Sequence, residues 1–180
     1  MPSTLIWSRT GRRCSFRQTT AYPYESHIRV DATASSPEKF SVFFRIPQWA
    51  DGARLSINGM SDWRTLHPGA FAEISREWKT GDWVELELPL KMRLEAVDRG
   101  HPDAVALLAG PLVLMPVTRQ APGQLRRATL LSARRNAGTA RAWTAGSDDA
   151  SLTLRAFMDI QDEPTRPICT SNPVEAEKTS

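Results

Sequence analysis

The chain has 180 residues, 41% hydrophobic and 24% charged, with a mean hydropathy of −0.38. That composition fits a soluble globular protein of one ordinary domain, or a sandwich plus a fragment, and excludes most multidomain enzymes. The net charge of +3 comes from 19 Arg and 4 Lys scattered among 20 acids, so no nucleic-acid partner is expected.

The longest apolar stretch, Ala104 to Val117, is interrupted by Gly110, Pro111 and Pro116. It is shorter than the ~20 residues a membrane helix needs, so no membrane partner is expected. The first residues show no basic stretch followed by an apolar run, hence no secretory leader; the cytoplasm is the default expectation. Cys14 and Cys169 are too far apart in sequence for a disulfide framework or a CxxC-type zinc site.

Thirteen prolines and ten glycines punctuate the chain, and short runs of period-two alternation lie between them. Period two is the signature of a half-buried strand. Leu5–Trp7 and Cys14–Thr20 come first, followed by Ile28, Val30 and Ala32 alternating with Arg29, Asp31 and Thr33. Phe40, Val42, Phe44 and Ile46 point one way, with Ser41, Phe43 and Arg45 opposite. Leu55 and Ile57 lead into an Asn58-Gly59 turn, the strongest short hairpin signal. Ala70–Ser75 precedes a run in which Val84, Leu86, Leu88 and Leu90 alternate with Trp83, Glu85, Glu87 and Pro89. Arg93–Val97, Val105–Ala109, Leu112–Val117 and Leu152–Phe157 complete the set, and no window holds a helical period over eleven residues. The expected fold is all-β, an antiparallel β-sandwich or jelly-roll-like arrangement. Its expected core is Phe40, Val42, Phe44, Ile46, Leu55, Ile57, Val84, Leu86 and Leu88.

Strand signals are dense over residues 1–117, the expected sandwich domain. Residues 118–163 read as a linker rich in Arg, Ala, Gly and Thr, with the remaining strands of the same or a second, incomplete β domain. From Pro164 the chain turns polar and patternless, so 164–180 are expected to be a disordered tail.

The candidates for chemistry are few. Glu85 and Glu87 share one strand face with Cα atoms ~6.7 Å apart, a spacing compatible with paired carboxylates in glycoside hydrolysis. Both sit on the polar side of an alternating strand, where solvated acids are the simpler reading. His27, His67 and His101 lack metal-ligand spacing, and Cys14 falls in an alternating strand with no local His to activate it. No catalytic residue and no metal site is expected. Trp49, Trp63, Trp78 and Trp83 cluster near predicted turns. Exposed indoles there would bind carbohydrate; large aromatics that plug a sandwich end, with the N–H on a backbone carbonyl, are the alternative.

Several motifs stand in a recognisable order: Pro2-Ser3-Thr4-Leu5-Ile6-Trp7, Gln18-Thr19-Thr20-Ala21-Tyr22-Pro23-Tyr24, and Phe44-Arg45-Ile46-Pro47-Gln48-Trp49-Ala50. Ile57-Asn58-Gly59, Glu77-Trp78-Lys79-Thr80-Gly81-Asp82, Leu86-Glu87-Leu88-Pro89 and Ala109-Gly110-Pro111-Leu112-Val113 follow. Together, over residues 2 to 163, they resemble the β-sandwich region of glycoside hydrolase family 127, the β-L-arabinofuranosidase-like enzymes. The resemblance implies an (α/α)6 barrel upstream, holding a zinc-bound cysteine nucleophile and a glutamate acid/base. No position here matches those residues, so no catalytic residue and no cofactor is carried over.

The chain is therefore expected to be a truncated fragment, an accessory region that braces the missing barrel and is inactive alone. A stand-alone carbohydrate-binding module is the alternative. The resemblance also implies a closing strand beyond Pro164. One permitted codon spelling of Pro164 to Val174, read from its third base, encodes the strand-like Tyr-Thr-Thr-Tyr-Leu-Tyr-Leu-Lys-Pro-Gly. A one-base deletion near the Pro164 codon is the corresponding expectation.

Overall fold

The computed structural model describes residues 3–9, 11–61, 66–118, 125–138, 141–146, 151–165 and 168–169. They form two compact units, residues 1–90 and 91–180.

The first unit opens with a long hairpin, β1 (Ser3–Arg9) and β2 (Arg12–Thr20), followed by β3 (His27–Ala34) and β4 (Glu38–Arg45). Next come β5 (Arg54–Ile57), β6 (Met60–Ser61), β7 (Phe71–Trp78) and β8 (Trp83–Glu87). Six strands make one sheet in the order β1-β2-β3-β8-β5-β6, and β4 pairs with β7 in a second sheet. Every pairing is antiparallel. The Asn-Gly turn joins β5 to β6 as its sequence demands, with Asn58 at φ 51° and Gly59 at φ 79°. Positive φ at both central residues matches the twist of a tight hairpin.

The core lies between the two sheets. Ile46, Leu55, Ile74, Trp78, Val84, Leu86 and Leu88 are buried in it, and Phe40, Val42, Phe44 and Ile57 pack on it half-buried. All nine expected core residues are therefore in place. Phe43 points the other way and is exposed.

The β7–β8 turn is held by one buried carboxylate. Asp82 is 2% exposed and accepts hydrogen bonds from Asn58 Nδ2 (2.8 Å), the Lys79 N–H (3.0 Å) and an Arg76 guanidinium nitrogen (3.2 Å). Burial alone would raise its pKa, but those donors and the Arg76 charge outweigh it and hold the carboxyl below its ordinary value.

The second unit begins with β9 (Met92–Asp98), β10 (His101–Ala109) and β11 (Leu112–Pro116). A short helix α1 (Arg127–Leu131) precedes β12 (Arg134–Arg135), β13 (Ala142–Ala145), β14 (Leu152–Ala156), a 3-10 turn at Phe157–Asp159, and β15 (Ile168–Cys169). The sheet order is β12-β13-β14-β11-β10-β15, with β9 also on β10. Its core includes Leu107, Leu114, Leu130, Trp143, Leu154 and Ile168.

Three expectations about organisation need correction. The chain divides at Leu90, not near 117, because β9, β10 and β11 pair with one another and with β14. The stretch expected to be mainly a linker contains α1, β12 and β13; in β13 the buried Trp143 and Ala145 alternate with half-buried Ala142 and Thr144, so burial alternates where hydrophobicity hardly does. The stretch expected to be a disordered tail is partly ordered. Thr165 bridges Val117, and Ile168–Cys169 pair with Val105 and Ala104 as written, giving β10 a short closing strand. Residues 170–180 lie outside the described residues.

Candidate functional site

The outward face of the six-stranded sheet collects the polar candidates, because β3 and β8 pair with Arg29 opposite Glu85 and Asp31 opposite Trp83. The Arg29 guanidinium lies 4.3 Å from the Trp83 ring centroid, and its Nε donates to Asp31 Oδ1 at 2.9 Å. A second nitrogen of Arg29 reaches Glu85 Oε1 at 3.4 Å. His27 Nε2 stands 3.6 Å from the same oxygen, and Ser56 Oγ is 3.5 Å from the other. Glu85 is thus held by cationic and hydroxyl neighbours on an open face, and Glu87 beside it is exposed. Retaining and inverting hydrolases both need an enclosed pair of carboxyls in different environments. Here Glu85 is 31% exposed and Glu87 is exposed.

The tryptophans have separate fates. Trp78 is fully buried, donates Nε1–H to Phe40 O at 3.1 Å and meets Phe16 edge-on at 5.3 Å. It offers no face to a sugar. Trp49 is half-buried against the same core, and Trp83 carries Arg29 over its ring. Trp63 lies outside the described residues. Cys14 is buried, and burial, then the charge of Glu38, pushes its thiol pKa up, away from a nucleophilic thiolate. The Cys169 side chain lies outside the described residues. No group of three or more potential metal ligands occurs among the described residues.

An apolar groove of about 850 Å3 lies on the first unit. Its walls include Leu5, Trp7, Phe16, Val42, Phe44 and Leu86. Among its lining residues, the Phe40 ring meets those of Trp7 (5.2 Å) and Phe16 (6.1 Å). Leu5 and Phe43, 66% and 58% exposed, stand at its rim. Sequence reasoning missed this groove. The available signal was Phe43, a large aromatic on the polar face of an otherwise alternating strand.

The comparisons with known proteins agree with this architecture. The family profile of the β-L-arabinofuranosidase GH127 middle domain matches residues 1–90. A GH127 β-L-arabinofuranosidase from Geobacillus stearothermophilus T6 is 25% identical with a TM-score of 0.63, over 91% of this chain and 27% of its own. A structure described as a glycoside hydrolase (20% identity, TM-score 0.67) is covered over 33% of its length by 92% of this chain. The GH127 β-arabinofuranosidase BT3674 (17%, TM-score 0.68) is covered over 33% by 93% of it. These last two support the fold alone. No curated protein sequence matches the chain. The chain spans about a third or less of the solved structures it resembles. With its middle-domain match over half its length, this chain belongs to the GH127 β-L-arabinofuranosidase family.

Proposed function

We propose that these residues serve a longer glycoside hydrolase as a non-catalytic accessory region, bracing its catalytic barrel and requiring no metal or cofactor of their own. The observation that carries this is the apolar groove with Leu5 and Phe43 exposed at its rim. Continuous apolar surface of that kind is what a neighbouring protein segment covers. Sugar sites, by contrast, place several convergent polar groups around an accessible aromatic face. Here the described indoles are buried, half-buried, or covered by Arg29.

Calorimetric titration of the chain with a β-L-arabinofuranoside oligosaccharide tests the choice. No saturable heat is expected. Saturable binding that disappears in Trp83→Ala or Trp49→Ala would establish the carbohydrate-binding module instead.

A further inference from the structure

Among the described residues, β4 pairs along its length with β7 and with no other strand. The ladder runs past its end, where the Ile46 N–H donates to Ala70 O and the Gly69 N–H to Ile46 O, both at 2.9 Å. Hydrogen bonding alternates along an antiparallel strand, so Phe40, Val42 and Phe44 also direct their backbone groups toward β7. Lys39, Ser41, Phe43 and Arg45 direct theirs to the open side. The groove wraps that open side: Ser41, Phe43 and Arg45 line it together with the core-facing Val42 and Phe44. Its other wall is strands β1, β2, β3 and β8 of the six-stranded sheet. A free backbone edge and an apolar floor thus meet along the six β4 residues from Phe40 to Arg45, roughly 20 Å of strand at ~3.3 Å per residue.

We infer that this groove seats a β-strand from the part of a longer GH127 polypeptide that these 180 residues do not include, hydrogen-bonded to the open edge of β4. The inference rests on the accessory-region proposal and names the contact it uses. Relatives of known structure carry about two-thirds or more of their length outside the matched part, so the chain to supply such a strand is available in the family. An unprotected edge of this length is one that proteins cover. The lining specifies the occupant. Apolar side chains at every second position face Leu5, Trp7 and Phe16, and polar ones face out. A second copy of this chain fits less well. A two-fold axis beside β4 would bring the other copy's β1 and β2 into the layer where these β1 and β2 already stand, whereas one extended strand needs only the slot.

The test uses the purified chain and short overlapping peptides covering the whole sequence of the Geobacillus stearothermophilus relative. Binding is expected to be confined to peptides from outside the matched part. It should slow amide exchange at Ser41, Phe43 and Arg45 at least tenfold while leaving Val42 and Phe44 as they were. Phe43→Pro removes an edge N–H, which edge strands tolerate. Leu5→Lys puts a charge on the groove wall at an exposed position. Each should weaken capture at least tenfold, and Met158→Glu in the second unit should leave it unchanged. Three results would overturn the inference: no peptide bound by the folded chain, protection that appears only as chain concentration rises, or binding that survives both groove variants. These outcomes are independent of the sugar titration, so the strand contact and the accessory role fail separately.

Discussion

Asn58 and Asp82 clasp each other across two turns that are 24 residues apart in sequence. Asn58 Nδ2 donates to Asp82 Oδ1 at 2.8 Å, and Asn58 Oδ1 accepts the Trp83 N–H at 2.8 Å. One side chain thereby ties the β5–β6 hairpin to the β7–β8 turn. The Asn58-Gly59 dipeptide is more than a turn former, because its amide is a structural crosslink.

Asp82→Ala is expected to destabilise the chain by about 2–3 kcal/mol, since Asn58 Nδ2 and the Lys79 N–H lose a charged acceptor inside the fold. Denaturant midpoints of wild type and variant measure it. A change below a few tenths of a kcal/mol would show that water replaces the carboxylate.

The same carboxylate predicts a pH dependence. Its pKa is depressed in the folded chain, so its contribution is fully present above the unfolded value of about 3.9 and is lost as pH falls through the folded one. Wild-type stability should therefore drop below pH 4 more steeply than that of Asp82→Asn. Parallel acid profiles would contradict this.

Trp78→Ala should cost about 3–5 kcal/mol and broaden the unfolding transition, because it removes a fully buried indole and its bond to Phe40 O. Trp83→Ala should cost far less, because Trp83 is half-buried on the outward face. Thermal scans of the two variants give the comparison; equal losses would mean the sandwich interior is misassigned.

The Cys14 thiol should resist modification. In a Cys169→Ser background, a chromogenic disulfide reagent at pH 8 should react with Cys14 only as fast as the fold opens. Immediate reaction in the native chain would count against its burial.

Much of the first unit is legible in sequence because period two is a direct image of a half-buried strand. Val84, Leu86 and Leu88 are buried, while Glu85 is half-buried and Glu87 exposed between them. Pairing is less legible. Nothing local to Glu38–Arg45 tells that β4 joins β7 rather than its sequence neighbour β3, since strand partnership is a long-range choice. The second unit is less legible where burial does not follow hydrophobicity: Ala142-Trp143-Thr144-Ala145 alternates in burial without alternating strongly in hydrophobicity. Arg134 and Arg135, exposed on the outermost strand, gave that segment the composition of a linker. Ile168 was hidden for another reason. A two-residue strand is too short to show any period, and only its partner Val105 places it. The candidate tryptophans were found by type, but whether an indole is buried like Trp78 or covered like Trp83 depends on the facing sheet and on Arg29, which no spacing reveals.

We propose that these residues support a glycosidase without being one. The most direct measurement is release of L-arabinose from a β-L-arabinofuranoside by the purified chain, alongside Glu85→Gln and Glu87→Gln. The account predicts no release above the uncatalysed background for any of the three, because the carboxylates lie on an open face and Glu85 is already engaged by Arg29. Hydrolysis by the wild-type chain that is abolished in either glutamine variant would contradict it.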